Sequence, residues 1–185
     1  ERVREVSFTA HRGEILGFAG LMGSGRTETM RAIFGADRAE SGAVYLHGSD
    51  VPARIRKPSD AVRQGIALLT EDRKEQGLLL PLPIRANVSL TGLNAVSRFG
   101  FIRPSGENAA AERYAETLAI KCSSVEQSTG QLSGGNQQKV VIAKWLHRDC
   151  DILIFDEPTR GIDVGAKFEI YRMLNNLAGQ GKAIL

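Results

Sequence analysis

The first fifty residues contain several apolar or alternating runs that are long enough to form a strand. Apolar and polar residues alternate over residues 3–9, and residues 14–19, which follow a turn, are apolar enough for a buried strand. Residues 43–46 and the turn-forming sequence at 47–50 resemble one arm of a hairpin and its turn. The pattern predicts strands in this part of the chain.

Strands and helices alternate farther along. Ile66–Leu69 is a short apolar run, and Ile152–Phe155 is wholly apolar, which is typical of a central parallel strand covered on both faces. Residues 85–120 are richer in Ala, Glu and Asn and could form a helical insertion. Helices are predicted at residues 26–34 with Gly35 as the stop, in a short segment ending near 64–65, at 107–118 and at 136–146. This order predicts an α/β sheet.

Composition fits a globular chain. With 185 residues and 42% hydrophobic content, it can bury one core, with room for a small inserted subdomain. The net charge of +3 is modest and scattered, so we expect no nucleic-acid partner. Cys122 and Cys150 lie far apart and are interpreted as reduced cytosolic thiols. No apolar run reaches the roughly 18 residues of a membrane span, so any membrane subunit would be a partner.

The two ends suggest a fragment. The chain starts at Glu1 rather than Met and stops inside the apolar residues 183–185, just after a turn-like Gly-Gln-Gly sequence. We expect a chain truncated at both ends and cut within a strand.

A glycine-rich turn links the strand at 14–19 to the helix at 26–34. Its spacing matches G-x-x-x-x-G-K-[ST], with an arginine in the lysine position. Backbone N–H groups and the helix N-terminus would surround phosphate oxygens, while the threonine hydroxyl would bind Mg²⁺. The candidate residues are Gly20, Gly23, Ser24, Gly25, Arg26, Thr27 and Glu28. The alternative is a plain Gly-rich strand-to-helix turn.

Two adjacent carboxylates follow the apolar strand Ile152–Phe155. This is a Walker B arrangement, in which Asp156 would hold Mg²⁺ and Glu157 would polarise the attacking water as general base. Alternatively, these acidic residues cap the next helix.

A third motif, LSGGNQQK at residues 132–139, resembles the LSGGQ signature of ABC ATPases, and residues 156–163 resemble the family's Walker B and D-loop. The resemblance implies that two cassettes pack head to tail, and that Ser133, Gly134 and Gly135 contact the γ-phosphate held by the partner's phosphate loop. The alternative for this segment is an ordinary Ser/Gly helix cap.

Variants within these motifs resemble the second, C-terminal cassette of the fused double-cassette ATPases of ribose-, xylose- and galactose-type sugar importers. The motifs that carry this resemblance are at residues 20–28, 70–74, 132–139 and 156–167, and the resemblance covers essentially the whole chain. It implies the ABC ATPase fold: a P-loop NTPase core with a mostly parallel sheet and an antiparallel β edge at residues 1–80 and 147–185, and a helical signature subdomain at 81–146.

The same resemblance implies function and partners. ATP and Mg²⁺ would be bound, with Glu71 replacing a glutamine that contacts the metal; the alternative for Glu71 is a solvated charged loop. The partners would be a second cassette, permease subunits and, indirectly, a periplasmic sugar-binding protein, at the cytoplasmic face of the bacterial inner membrane.

Two substitutions indicate a degenerate site. Arg26 brings a bulkier, planar cation, and Glu71 adds negative charge beside the phosphates. We therefore expect an ABC-type ATPase domain that is slow or inactive at its own site while its signature completes the partner cassette's site. The alternatives are a soluble ABC ATPase of DNA repair or translation, and a regulatory nucleotide-binding module that does not hydrolyse ATP.

Overall fold

The computed structural model describes residues 3–185, which divide into two compact units. The first contains residues up to 68 together with 150–156 and 174–185, and the second contains residues 69–149 and 157–173. The helices are α1 Arg26–Phe34, α2 Pro58–Arg63, α3 Ile84–Ser89, α4 Leu93–Val96, α5 Pro104–Thr117, α6 Gly134–His147 and α7 Val164–Gly179. The strands are β1 Ile66–Leu69, β2 Ser97–Arg98, β3 Phe101–Ile102, β4 Ile152–Phe155 and β5 Ala183–Ile184. A π-helical turn, Arg73–Gly77, and a 3₁₀ turn, Thr129–Gln131, complete the regular structure.

The first unit is built on a sheet of order β1-β4-β5. Strands β4 and β5 are parallel, with Ile152 opposite Ala183 and Leu153 opposite Ile184. Ile15 extends the sheet by one parallel bridge to Ile184. The side chains of Leu153 and Ile184 are almost fully buried, so the apolar runs of these strands form the core as their sequences predict.

The second unit is mainly helical, with α3 packed against both α5 and α6. Its core includes Ile84, Val88, Val140 and Ile142, all essentially inaccessible to solvent. Strands β2 and β3 form a small antiparallel hairpin. The two residues of its turn, Phe99 and Gly100, have φ of 54° and 82°, as a tight hairpin turn requires.

Several predicted elements agree with the structure. The bounds of α1, β1 and β4 are those predicted, α6 begins two residues earlier, and α5 starts at Pro104, which suits a first helical turn. Gly35 ends α1 in the left-handed conformation with φ 74°. The predicted α/β class is confirmed. The boundaries proposed at 80/81 and 146/147 stay predictions.

The strands predicted before residue 50 differ. Neither 3–9 nor 14–19 forms a strand; within them only Ile15 makes a bridge. Residues 47–50 do form the predicted turn, and Ala53 N–H donates to the Val44 carbonyl at 2.7 Å, but no ladder follows. The antiparallel pair lies instead at 97–102. Alternation reports which side chains are covered, whereas a ladder also needs a neighbouring backbone in register. In the described part of the chain, no helix is long and apolar enough to cross a membrane.

Candidate functional site

The glycine-rich turn before α1 has a backbone that favours glycine at several places. Gly23 and Gly25 have φ of 79° and 88°, and a Cβ atom at Gly20 would lie 2.5 Å from Ser24 Oγ. Ser24 N–H donates to the Leu21 carbonyl at 3.1 Å, which closes the turn. The turn leads directly into the N-terminus of a nine-residue helix, and a glycine-rich turn at a helix N-terminus is a setting in which proteins bind anions.

Arg26 opens helix α1 beside this turn. Its Cδ lies 3.7 Å from the place that a Cβ would take at Gly20, so its aliphatic stem runs along the loop. Glu28 follows in the first helical turn, where its negative charge interacts favourably with the helix dipole. The turn thus carries one cation and one anion at its helical end.

Thr27 connects the turn to the end of β4. Its hydroxyl donates to Asp156 Oδ1 at 3.2 Å, and both residues are partly buried. Among residues 3–185, no group of three His, Cys, Asp or Glu side chains is arranged to hold a metal. A hydroxyl beside one carboxylate nevertheless suits Mg²⁺, which takes few protein ligands and completes its shell with phosphate and water oxygens. The donor set therefore fits that ion.

In the second unit, the signature segment meets helix α6 at Ser133. Ser133 is the N-cap residue, yet its side chain makes no capping hydrogen bond; its hydroxyl oxygen accepts from Asn136 Nδ2 at 2.9 Å. A Cβ at Gly135 would lie 2.9 Å from Ala166 Cβ, and one at Gly134 would lie 2.7 Å from Arg73 Nη2. Ser133 thus does not act as an ordinary side-chain cap, and the close approach of Ala166 favours glycine at position 135.

Glu157 begins a tight turn in the second unit. It has φ of 48°, and its carbonyl accepts from Arg160 N–H at 3.0 Å. The first turn of α7 is capped by Asp163, whose Oδ1 accepts from Ala166 N–H at 2.9 Å. Since α7 already has a cap, helix capping does not explain the acidic pair at 156–157.

Glu71 forms an ion pair with the Arg160 side chain within the second unit. Arg73, on the same segment, donates through Nη1 to the Arg160 carbonyl at 2.9 Å. These residues line a cavity of about 350 Å³ with Asp72, Lys74 and Gly161. The motifs alone gave no role to Arg73 or Arg160; the charge sequence at 70–74 was the only available signal.

The predicted site residues therefore fall into two groups. The first unit brings together the glycine-rich turn, Arg26, Thr27, Glu28 and Asp156. The second contains Glu71, Glu157 and Ser133-Gly134-Gly135. Their catalytic and binding roles stay predictions.

Comparison with known proteins gives consistent matches. A family model described as ABC transporter matches residues 3–160. A protein of Burkholderia cenocepacia, named as a ribose/galactose/methyl galactoside import ATP-binding protein, is 58% identical over 181 residues, 97% of this chain and 35% of that protein. A Rhizobium meliloti protein of the same description is 52% identical over 184 residues, 100% of this chain and 36% of that protein. The chain thus spans about a third of the length of these curated relatives.

Solved structures show the same fold. The dimeric post-hydrolysis structure of the ATP-binding cassette MJ0796, bound to ADP and Pi, matches with a TM-score of 0.79 at 23% identity, over 99% of this chain and 78% of that one. A nucleotide-free ATP-binding cassette from an ABC transporter matches with a TM-score of 0.78 at 21% identity, over 97% and 72%.

Proposed function

The chain belongs to the ABC transporter family of ATP-binding cassettes, and from this membership we propose that it binds and hydrolyses ATP to power import of a monosaccharide. The observation that supports ATP chemistry most directly is the 3.2 Å contact between Thr27 Oγ1 and Asp156 Oδ1, next to a helix-opening glycine turn. In this contact, the residue after a buried strand meets a residue of the glycine-rich turn, and both side chains are of the kind that binds Mg²⁺.

Each predicted residue has a role in this proposal. The backbone from Gly20 to Thr27 holds the phosphates, and Arg26 supplies positive charge to them. Thr27 and Asp156 would hold Mg²⁺, which would supply positive charge to the phosphate oxygens when bound. Glu71 is a further candidate ligand, available once its pair with Arg160 opens.

Glu157 acts as the general base of the proposed hydrolysis. Its carboxylate accepts a proton from the attacking water, which raises the nucleophilicity of the water oxygen toward the γ-phosphorus. Its exposed position in the turn leaves it accessible to water. Ser133, Gly134 and Gly135 serve a γ-phosphate held by a second cassette, since the side chain of Ser133 leaves the first N–H groups of α6 without a cap.

Transport of a sugar is supported by the names of the relatives, which are import ATP-binding proteins for ribose, galactose and methyl galactoside. In this proposal the domain works with a second cassette, with permease subunits and, through them, with a periplasmic sugar-binding protein. It sits at the cytoplasmic face of the bacterial inner membrane. Residues 81–146 form its helical signature subdomain, and residues 1–80 with 147–185 form its ATPase core.

The site departs from the family pattern at Arg26 and Glu71. An arginine fork is bulkier than the usual ammonium and is less suited to following the γ-phosphate into the transition state. We infer that nucleotide binding is retained and that hydrolysis at this site is slow.

The test measures ATP affinity and turnover in the complete protein that carries this chain. Asp156→Asn should abolish Mg²⁺-dependent ATP binding at this site and leave that of the second cassette. Glu157→Gln should leave binding intact and lower turnover, and Arg26→Lys should raise turnover. Asp50→Asn, an exposed carboxylate in a surface turn, is the control for loss of one charge. If the protein binds ATP but Glu157→Gln does not lower its turnover, the regulatory, non-hydrolysing alternative is favoured. Total Mg-ATP binding that Asp156→Asn leaves unchanged would refute the proposed site.

A further inference from the structure

Arg73 lies between two segments of the proposed site that are far apart in sequence. Its Nη1 donates to the Arg160 carbonyl at 2.9 Å, and its Nη2 donates to the Gly161 carbonyl at 3.5 Å. On the other side, Nη2 lies only 2.7 Å from the place that a Cβ would take at Gly134. One guanidinium therefore contacts both the turn that begins at Glu157 and the start of the signature helix.

The segment that carries Arg73 is fixed at both ends. At its start, Asp72 Oδ1 accepts from the N–H groups of Lys74 and Glu75 at 3.0 and 3.1 Å. At its end, the buried Lys144 of helix α6 donates through Nζ to the Gly77 carbonyl at 2.6 Å. Because α6 also begins at Gly134, the same helix fixes the base of Arg73 and one of the surfaces that it contacts.

The turn that Arg73 holds has an unfavourable backbone. Glu157 and Gly161 have φ of 48° and 64°, and the first of these is a left-handed conformation for a residue with a Cβ. Within the turn, one backbone bond, Arg160 N–H to the Glu157 carbonyl at 3.0 Å, opposes unwinding. Such a turn persists only when its surroundings hold it.

Arg73 makes these contacts at a cost. Its Nε is buried and has no hydrogen-bond partner among the described residues. A buried donor without a partner is uncommon and is typically found where another constraint fixes the group. Here both Nη groups point at main-chain carbonyls of one turn, which fixes the plane of the guanidinium and leaves Nε unpaired.

We propose that Arg73 is a positioning residue that holds the Glu157 turn and the start of the signature helix in one fixed arrangement. The inference rests on the proposed function, because it assigns Glu157 and Ser133-Gly134-Gly135 their roles in hydrolysis. Arg73 acts only through the carbonyls of Arg160 and Gly161 and through contact with Gly134. The Glu71–Arg160 ion pair adds a second link between the segment that carries Arg73 and the Glu157 turn.

The experiment compares Arg73→Met and Arg73→Lys in the complete protein, with Lys74→Met as the control. The control removes the same charge from the neighbouring exposed residue. The turnover of this site is the part of the ATPase activity that Glu157→Gln removes. Nucleotide affinity and amide exchange at residues 133–136 and 157–163 are measured alongside, with helix α5 as the internal reference.

Arg73→Met should lower the turnover of this site by about 10- to 100-fold, since small misplacements of catalytic groups have effects of that size. ATP affinity should stay within about threefold. Arg73→Lys should recover part of the turnover, because an ammonium donates to only one of the two carbonyls. Amide exchange should rise at 133–136 and 157–163 but not in α5. Arg73→Met combined with Glu157→Gln should lower turnover further than Glu157→Gln alone, because the signature segment serves the site of the second cassette.

Two results would overturn the inference. One is an Arg73→Met protein that folds and whose turnover at this site is within about twofold of that of the unchanged protein. The other is amide exchange that rises in α5 as much as at 133–136 and 157–163. If Arg73→Met does not fold, Arg73→Lys is judged by the same readouts. If Glu157→Gln leaves all turnover unchanged, the proposed role of Glu157 fails and so does the catalytic part of the inference. The exchange data then decide separately whether Arg73 holds the two segments.

Discussion

The hydroxyl of Thr27 and the carboxylate of Asp156 are 3.2 Å apart, although 129 positions separate them in the sequence. Thr27 is fixed by the start of α1, and Asp156 follows directly after the buried strand β4. Neither position depends on the other, so their meeting is a property of the first unit as a whole. This pair is the best place to test the proposed metal site.

Thr27→Val should weaken Mg-ATP binding and leave metal-free ATP binding nearly unchanged. The substitution keeps the shape of the side chain and removes its hydroxyl, so the proposed metal loses one ligand and Asp156 loses one donor. Loss of a hydrogen bond to a charged group is worth about 1.5–3 kcal/mol, which corresponds to about 10- to 100-fold in affinity. Calorimetry with and without Mg²⁺ measures both values. Thr27→Ser, which keeps the hydroxyl, is the control; an equal loss with and without Mg²⁺ would contradict the metal role.

Gly20→Ala should lower ATP affinity by about two- to tenfold, because the new Cβ would lie 2.5 Å from Ser24 Oγ and 3.2 Å from Ser24 Cβ, so that the hydroxyl must rotate and the turn must shift slightly. Gly17→Ala is a matched control on the same segment, since nothing lies within 4 Å of a Cβ there. The double change Gly20→Ala with Ser24→Gly removes the clashing oxygen and should recover part of the affinity. Fluorescent nucleotide titration compares the variants. Equal affinities for Gly20→Ala and Gly17→Ala would show that the turn accommodates a methyl group at position 20 and that close packing against Ser24 does not govern ATP binding.

The sequence predicted local structure better than it predicted pairing. Helix α1 and strands β1 and β4 have their predicted bounds because their patterns, caps and flanking glycines all act within a few residues. Residues 3–9 alternate between apolar and polar side chains as a strand does, yet Val6 and Phe8 are 51% and 39% exposed. No described strand therefore covers the apolar face of this segment. Partners of a strand come from tertiary structure, which alternation does not encode.

The site shows the same division. The glycine turn, the acidic pair and the signature each follow a spacing that chemistry requires, and so they were visible as motifs. Arg73 contacts the carbonyl oxygens of residues 160 and 161. Every residue has a backbone carbonyl, so the sequence does not indicate which of them a side chain contacts. The pairing of Glu71 with Arg160 was equally hidden, because charged residues in loops are most often solvated.

The two ion pairs of Arg85 should differ in their contribution to stability. Glu107 is buried, with a side chain exposed by 7%, and accepts from Arg85 Nη1 at 2.6 Å and also from the Ser89 hydroxyl. Glu126 accepts from Arg85 Nε at 2.8 Å, but its side chain is 54% exposed. Glu107→Gln leaves Arg85 with a weakened buried partner and should cost about 2–4 kcal/mol. Glu126→Gln should cost less than about 1 kcal/mol.

Urea denaturation of both variants measures the difference. The comparison is matched, because the same arginine loses one charged partner in each case and the side chains change identically. Equal losses of unfolding free energy would mean that burial does not govern the strength of these pairs.

The last prediction concerns Lys144, a buried residue of helix α6 whose pKa is lowered to about 8 by burial. Its ordinary pKa is 10.5. Between these values the unfolded chain binds more protons than the folded one, so stability rises as pH increases from 8 toward 10.5 and is lost as pH falls back. The gain is at most about 3 kcal/mol, because the bond from Nζ to the Gly77 carbonyl favours the charged form.

Lys144→Met should remove this pH dependence. Urea denaturation at about pH 7.5, 8.5 and 9.5, values that bracket the folded pKa, compares it with the unchanged protein and with Lys74→Met, which changes an exposed lysine on the π-helical turn. The unchanged protein and Lys74→Met should gain stability with pH relative to Lys144→Met. Parallel curves for all three would mean that Lys144 keeps its charge in the fold through the Gly77 carbonyl, so that the hydrogen bond outweighs the effect of burial on its pKa.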